Sequence, residues 1–341
     1  MLPRLEKIDI VHIVPFSRDD PARGLADALE LFELAEELGL DGAWTRTRHL
    51  EYGLSSAALF LASAAQRTTR IELGTAVIPI VYESPLRLAE DLATADLLSG
   101  GRLHPGLSAA VSRHTGPTAE RLFGPGWEQS AVKPYEQADR LLSFLRGEPV
   151  EEGGYQIGLS PVRELAAGRV EPHSPGLVSR LWWGAGSPDS TAWTARNDLG
   201  LLVSNIGRWE GSDVFEESQR LQIDWFRSIH PRGDAARVAK GLVIVPTDHA
   251  TPERRARFEA YAEAREARTA GRQPGTGRIF ERDFVGSTAE IVDRLLADVA
   301  VQAADELLFE LPFQFDADDY RHIVHELATS IGPALGWTPR D

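Results

Sequence analysis

Several residue types and patterns that mark particular classes of protein are missing from this chain of 341 residues. It has no cysteine, which excludes disulfide bonds, thiolate chemistry and zinc sites built from cysteine. No apolar run approaches the roughly 18 uninterrupted residues that a membrane span needs. The start, MLPRLEKIDIVHIV, lacks the apolar core of a signal peptide. We therefore expect a cytoplasmic protein that does not interact with a membrane.

Basic residues are the minority among the charged ones. The chain has 36 lysines and arginines against 51 aspartates and glutamates, which gives a formal net charge of −15. Nucleic acids and anionic membranes bind basic surfaces, so we expect neither as a partner. The rest of the composition, with 43% hydrophobic residues, is typical of a globular protein with a large core.

Eight apolar runs typical of buried strands alternate with helical patterns or loops. Repeated strand–helix units produce parallel strands, and eight units in a chain of this length predict a closed TIM (β/α)8 barrel with loop insertions. The predicted strands occupy residues 8–14, 41–44, 71–80, 103–107, 181–183, 201–203, 242–245 and 307–311.

The chain shows no linker and no shift in composition, so we expect one domain over residues 1–341. Long loops at about 113–133, 148–180 and 271–283 should form the substrate pocket. A doubly wound protein of two domains is the alternative. It would need the dinucleotide pattern G-x-G-x-x-G, but after Gly184 and Gly186 the third position is Asp189.

The stretch 181–205 combines an apolar strand, a turn and the start of a helix. Ser187 is a good N-cap, and Pro188 suits the first helical position. The turn exposes backbone N–H groups at a helix start, where the helix dipole favours an anion such as a phosphate. The same residues would also suit a helix that is simply well capped.

Four separated motifs resemble those of the luciferase-like flavin-dependent monooxygenases, and they occur in that family's order. They are residues 38–44 (LGLDGAW), 70–77 (RIELGTAV), 98–103 (LSGGRL) and the turn at 186–193. The resemblance covers about residues 8–335. It implies a TIM barrel, usually dimeric, that binds reduced FMN or the related deazaflavin coenzyme at the carboxyl ends of its strands.

The resemblance also assigns cofactor-binding residues. In this family the turn that matches Gly186, Ser187, Ser190 and Thr191 holds the flavin phosphate through backbone amides and hydroxyls. That assignment agrees with the anion-binding character expected of a helix start.

The third strand should carry the flavin ring. Ala76 and Val77 match the place where the family's backbone bulges under the ring, sometimes with a cis peptide bond that does not involve proline. An ordinary buried strand is the alternative for these residues. Thr75 and Ser108 would lie near the polar edge of the ring. His49 matches one of two histidines that often follow strand two, and it is our candidate catalytic residue.

One departure from the family pattern concerns the phosphate. Many FMN-binding members have an arginine just after strand four, but Ala109 and Ala110 stand there. The segment Arg113–His114 or Arg46 could replace it. We predict no metal site: His322 and His325 lie three residues apart but have no recognisable third ligand, so they suit a solvated helix face.

Three functions follow from the resemblance. The first is a monooxygenase that takes reduced FMN from a separate flavin reductase and uses dioxygen on a small organic substrate. The second is a deazaflavin-dependent hydride-transfer enzyme on the same fold. The third is a flavin-binding or partner subunit without catalysis. We also expect a homodimer formed through helices 55–66 and 86–98, which carry more apolar surface than one barrel wall needs.

Overall fold

The structure is a computed structural model that describes residues 2, 4–110, 120–124, 133–150 and 168–340. Its strands are short, and most of them are fully buried. In chain order they are Lys7–His12 (β1), Gly42–Thr45 (β2), Glu72–Thr75 (β3), Ile78–Pro79 (β4), Leu103–His104 (β5), Gly106–Ser108 (β6), Trp182–Gly184 (β7), Gly200–Val203 (β8), Ile206–Gly207 (β9), Val238–Pro246 (β10), Ile279–Phe280 (β11), Phe284–Gly286 (β12) and Glu306–Glu310 (β13).

Ten of these strands form one parallel sheet that closes on itself. The hydrogen-bonded order is β4-β6-β7-β8-β10-β13-β1-β2-β3-β5. β4 directly follows β3 in the chain, and β6 directly follows β5, so each pair is one interrupted strand. Because β3 pairs with β5 and β4 pairs with β6, the two ends of the path belong to neighbouring strands. The result is an eight-stranded barrel, and the predicted TIM barrel and all eight predicted strands are confirmed.

Helices cover the outside of the barrel and place their apolar faces against it. They are Pro21–Glu37 (α1), Ala57–Ala65 (α2), Pro85–Leu98 (α3), Pro134–Leu145 (α4), Pro188–Arg196 (α5), Phe215–Ile229 (α6), Pro252–Glu266 (α7), Thr288–Ala297 (α8), Ala317–Glu326 (α9) and Gly332–Leu335 (α10). Several begin as their sequence predicts: Ser287 and Glu290, for example, form a capping box. Among the described helices, none has the length and apolar character needed to cross a bilayer.

Two tryptophans fill the barrel interior. Trp44 on β2 and Trp182 on β7 are completely buried, and their ring centroids lie 6.0 Å apart in an edge-on arrangement. Each ring lies against a glycine: a Cβ on Gly74 would collide with Trp44, and a Cβ on Gly200 would collide with Trp182. Large and small residues on facing strands therefore interlock, as close packing requires.

The structure also contains a small ribbon that the sequence patterns did not predict. β9 and β11 pair antiparallel, with Ile279 opposite Gly207 and Phe280 opposite Ile206. β11 lies inside the region predicted to be a loop at 271–283, so that prediction is wrong for two residues. Of the other predicted loops, residues 113–119, 125–132 and 151–167 lie outside the described residues.

Candidate active site

A cavity of about 760 Å³ opens at the carboxyl ends of the barrel strands. This volume lies within the range of about 300–1,000 Å³ that is typical of small-molecule and cofactor sites. Most of the predicted site residues line this cavity: His49, Ala76, Val77, Ser108, Gly186, Ser187 and Ser190. The described lining does not include Thr75 or Thr191. Residues from four separate parts of the sequence therefore meet at one place.

The turn at the start of α5 forms one wall. Ser187 caps the helix, with its hydroxyl accepting from the Ser190 N–H, and Pro188 takes the first helical position. Apart from Gly186 and its two chain neighbours, no described residue has an atom within 4 Å of the point where a Cβ on Gly186 would sit, so the space beside this glycine is open. The turn has the geometry of a helix start that faces a cavity, which is the arrangement that binds anions.

The hydroxyls behind this turn are engaged within the protein. Ser190 Oγ accepts from the Trp183 indole N–H at 3.0 Å. Thr191 is fully buried, donates to the Ser187 carbonyl at 2.9 Å and accepts from the Gln222 side chain at 3.0 Å. Thr191 therefore stabilises the conformation of the turn through these two hydrogen bonds. Its predicted direct contact with a phosphate stays a prediction.

The third strand is interrupted where the family resemblance predicted a bulge. The peptide bond between Ala76 and Val77 is cis, and both residues line the cavity floor. The Ala76 carbonyl accepts from Arg46 Nε at 2.8 Å, and the Val77 carbonyl accepts from the Thr47 N–H at 3.3 Å. The loop after β2 therefore fixes the backbone of this floor.

Thr75 has a different position from the one expected. Its hydroxyl donates to the Gly106 carbonyl at 2.7 Å and accepts from the Gly106 N–H at 2.8 Å. Thr75 is fully buried and joins strand three to strand four below the cavity. Thr47 is a better placed hydroxyl: it lines the cavity, is buried, and its Oγ1 has no hydrogen-bond partner among the described residues. A ligand with a polar edge on this floor would satisfy it.

Four arginines and two glutamates belong to the cavity lining. Arg46 binds Glu310 at 2.9 Å, so this arginine, one of the predicted phosphate partners, is neutralised within the protein. The other predicted partner, Arg113–His114, lies outside the described residues. Sequence reasoning missed Arg48, Arg208 and Arg278. Each follows or precedes a short strand at the barrel mouth, and that position was the only available signal.

His49 lies at the mouth of the cavity, half-buried against Tyr82, with the two ring centroids 4.5 Å apart. Its Nε2 is buried and has no hydrogen-bond partner in the described part of the chain. Burial lowers the pKa of His49 below its ordinary value, because the charged ring would lose its hydration. Burial therefore favours the neutral ring, which is the form that can accept a proton.

A sequence model of the family described as luciferase-like monooxygenase matches residues 9–309. The chain belongs to this family. Its curated relatives include the 4-hydroxyprotoasukamycin monooxygenase of Streptomyces nodosus subsp. asukaensis, 39% identical over 39% of this chain and 35% of that protein. Another is the oxygenase component of flavin-dependent trigonelline monooxygenase from Acinetobacter baylyi, 29% identical over 58% and 53%. The chain thus spans about a third to a half of these relatives' length.

Several solved structures share the fold over nearly the whole chain. Monooxygenase RslO1 from Streptomyces bottropensis has a TM-score of 0.72 at 20% identity and covers 96% of this chain and 99% of its own. The oxygenating constituent of 3,6-diketocamphane monooxygenase from Pseudomonas putida, solved with FMN, has a TM-score of 0.68 at 14% identity, covering 98% and 100%. The coenzyme F420-dependent tetrahydromethanopterin reductase of Methanopyrus kandleri has a TM-score of 0.63 at 16% identity, covering 97% and 99%.

Proposed function

We propose that this protein is a flavin-dependent monooxygenase that binds reduced FMN in the cavity and acts with dioxygen on a small organic substrate. The observation that carries the proposal is the meeting, in one cavity, of the open helix start at Gly186 and the interrupted strand at Ala76 and Val77. Bound reduced FMN would supply the electrons for the reaction with dioxygen, and a separate reductase would provide it.

The phosphate end of the cofactor has a matching surface. The amides of Gly186 and Ser187 and the dipole of α5 favour a dianion at the turn. The β9–β11 ribbon brings Arg208 and Arg278 to the same side of the cavity, because Gly207 and Ile279 are paired neighbours. These two guanidinium groups replace, in this account, the arginine that the family has after strand four.

The ring end has a matching floor. Ala76 and Val77 form an apolar platform that packs on the tryptophan-filled barrel interior. Thr47 and Ser108 lie beside it and provide hydroxyls for a polar ring edge. An apolar floor with a few convergent polar groups is typical of cofactor sites, and it would keep water away from the reacting atoms.

The similar proteins support a flavin cofactor, but they include one protein with a different coenzyme. One is an oxygenase component, and one structure holds FMN. Another relative of the same fold uses coenzyme F420 instead.

We test the proposal by anaerobic titration of the protein with reduced FMN and, separately, with reduced F420, followed by mixing with oxygenated buffer. We expect FMN to bind at micromolar concentration and F420 at least tenfold more weakly. Preference for F420 would favour a hydride-transfer enzyme, and binding of neither would overturn the proposal.

We propose His49 as the catalytic proton acceptor at the reacting edge of the flavin. Replacing His49 with alanine should slow the reoxidation of bound reduced FMN by dioxygen about 100-fold, the usual scale for a general base. Stopped-flow absorbance measures this rate directly and needs no substrate. The ring is half-exposed, so the variant should fold, which thermal unfolding verifies. A rate within twofold of the unchanged protein would remove His49 from the mechanism.

We also propose a homodimer formed through α2 and α3. The two helices pack side by side, and Leu59, Leu86, Leu97 and Leu98 on them are 44–70% exposed. Burying such leucines against a twin is favourable. Replacing Leu59 with arginine should convert the dimer to a monomer in sedimentation at micromolar concentration. Leu221→Arg, at an equally apolar exposed position on α6, is the matched control and should leave the dimer intact. A wild-type species at the 37.5 kDa monomer mass would contradict the proposal.

A further inference from the structure

Arg48 is a cation of the cavity wall that the protein does not fully compensate. Its closest carboxylate is Glu51, with 3.6 Å between Nη1 and Oε2, which is too long for a good hydrogen bond. Its Nε is buried and has no hydrogen-bond partner among the described residues. Arg48 belongs to the cavity lining, and its Nη atoms form no hydrogen bond with the described residues.

The contrast with the neighbouring Arg46 is direct. Arg46 binds the Glu310 carboxylate at 2.9 Å and the Ala76 carbonyl at 2.8 Å. Arg48 has neither kind of close acceptor, and it lies near the positive charge of Arg46. Burial, followed by repulsion from Arg46, lowers the pKa of Arg48, while Glu51 and Glu310 act weakly in the other direction. A partly buried cation in this position is stabilised by an anion that enters the cavity.

The surroundings of Arg48 are flat and apolar. Phe313 lies under its guanidinium, with 6.0 Å from Cζ to the ring centroid, and the packed rings of His49 and Tyr82 belong to the cavity lining. Pro79 completes this part of the wall. An anion bound to Arg48 would therefore be attached to a body that packs against rings.

This location is distinct from the proposed phosphate site. Arg48 follows strand two of the barrel, whereas the Gly186 turn follows strand five, three strands further around the ring. A phosphate at the turn would leave Arg48 with only the distant Glu51 carboxylate, 3.6 Å away. The cavity thus has two separate places that attract negative charge, in a protein whose formal net charge is −15.

We propose that Arg48 binds a carboxylate of the substrate, so that the protein acts on small organic acids with a flat, apolar body. The planar guanidinium has two parallel N–H donors that match the two oxygens of a carboxylate. That the bound acid is a substrate rests on the proposed function. The binding site itself rests only on the contacts of Arg48.

The test compares acids with their neutral amides. Calorimetry measures the binding of benzoate, 2-naphthoate and hexanoate, each against its carboxamide, with and without oxidised FMN. We expect at least one acid to bind tenfold or more tightly than its amide. Arg48→Gln should abolish this preference, and Arg48→Lys should keep part of it, because the charge remains but the paired donors are lost. Arg196→Gln, an exposed arginine at the end of α5, is the matched control and should change nothing.

Each other outcome has a definite meaning. If no acid is preferred over its amide, or if Arg48→Gln keeps the preference, the inference is wrong. If Arg48→Gln weakens FMN and the acid to the same extent, Arg48 serves the cofactor and the inference is again wrong. If the acid preference depends on Arg48 but FMN does not bind, the inference stands and the proposed flavin function fails. Thermal unfolding of each variant separates these results from loss of the fold.

Discussion

Replacing Gly186 with aspartate should weaken FMN binding about 100-fold or more. The side chain has room, because no described residue beyond the two chain neighbours has an atom within 4 Å of its Cβ position, and the backbone there is not left-handed. Its carboxylate would lie beside the phosphate. At roughly 5 Å and an effective dielectric constant of about 20, each pair of like charges repels by on the order of 3 kcal/mol. A factor of ten in affinity corresponds to about 1.4 kcal/mol.

The controls for this prediction isolate charge from shape. Gly186→Asn has the same size without the charge and should weaken FMN less than about tenfold. Riboflavin lacks the phosphate, so its affinity should be nearly the same for the aspartate and asparagine variants. Fluorescence titration of both ligands measures these affinities. Equal losses for aspartate and asparagine, or for FMN and riboflavin, would mean that the phosphate does not bind at this turn. Ser190 is a poorer position for the added charge, because its hydroxyl accepts from Trp183 inside the fold.

Replacing Trp44 with alanine should lower the free energy of unfolding by about 3–5 kcal/mol, the usual range for truncating a buried tryptophan or phenylalanine. The ring is completely buried, and its partners cannot move into the space. Gly74 has no side chain that could fill the space, and Trp182 already packs against Gly200. A cavity would therefore remain in the barrel interior, beneath the platform formed by Ala76 and Val77.

Urea denaturation followed by circular dichroism checks this prediction. Trp225→Ala is the matched control, because Trp225 is only partly buried and packs against Trp209 outside the barrel, with 5.2 Å between ring centroids. We expect its loss to cost about 1 kcal/mol, the scale of most substitutions. Similar losses for the two variants would contradict the packing described for the barrel interior. Trp44→Ala should also weaken flavin binding, since the platform loses its support.

The barrel could be predicted from sequence because its strands are buried on both faces. Such strands appear as short, nearly continuous apolar runs, as at 8–14 and 307–311, and helical patterns separate them. The ribbon of β9 and β11 could not be predicted. Each partner contributes only two residues, so neither has a detectable period, and the pairing joins residues more than 70 positions apart.

The candidate site was predictable where a backbone pattern marks it. A cap residue, a proline and glycines identify the turn at Gly186 and Ser187 without knowledge of the tertiary structure. Side-chain roles are different, because they depend on which partner lies opposite. Thr75 hydrogen-bonds to Gly106, and Arg46 binds Glu310, and neither pairing leaves a signal in the sequence. For the same reason Arg48 becomes a candidate only after Arg46 is seen to be neutralised.

A crystal structure of the protein with FMN tests the central claim most directly. We predict that the phosphate oxygens lie within hydrogen-bonding distance of the Gly186 and Ser187 amides, and that the ring lies on Ala76 and Val77. Arg208 or Arg278 should contact the phosphate, and Arg48 should not. An FMN molecule bound outside this cavity, or one in the cavity with its phosphate at Arg48, would contradict the account.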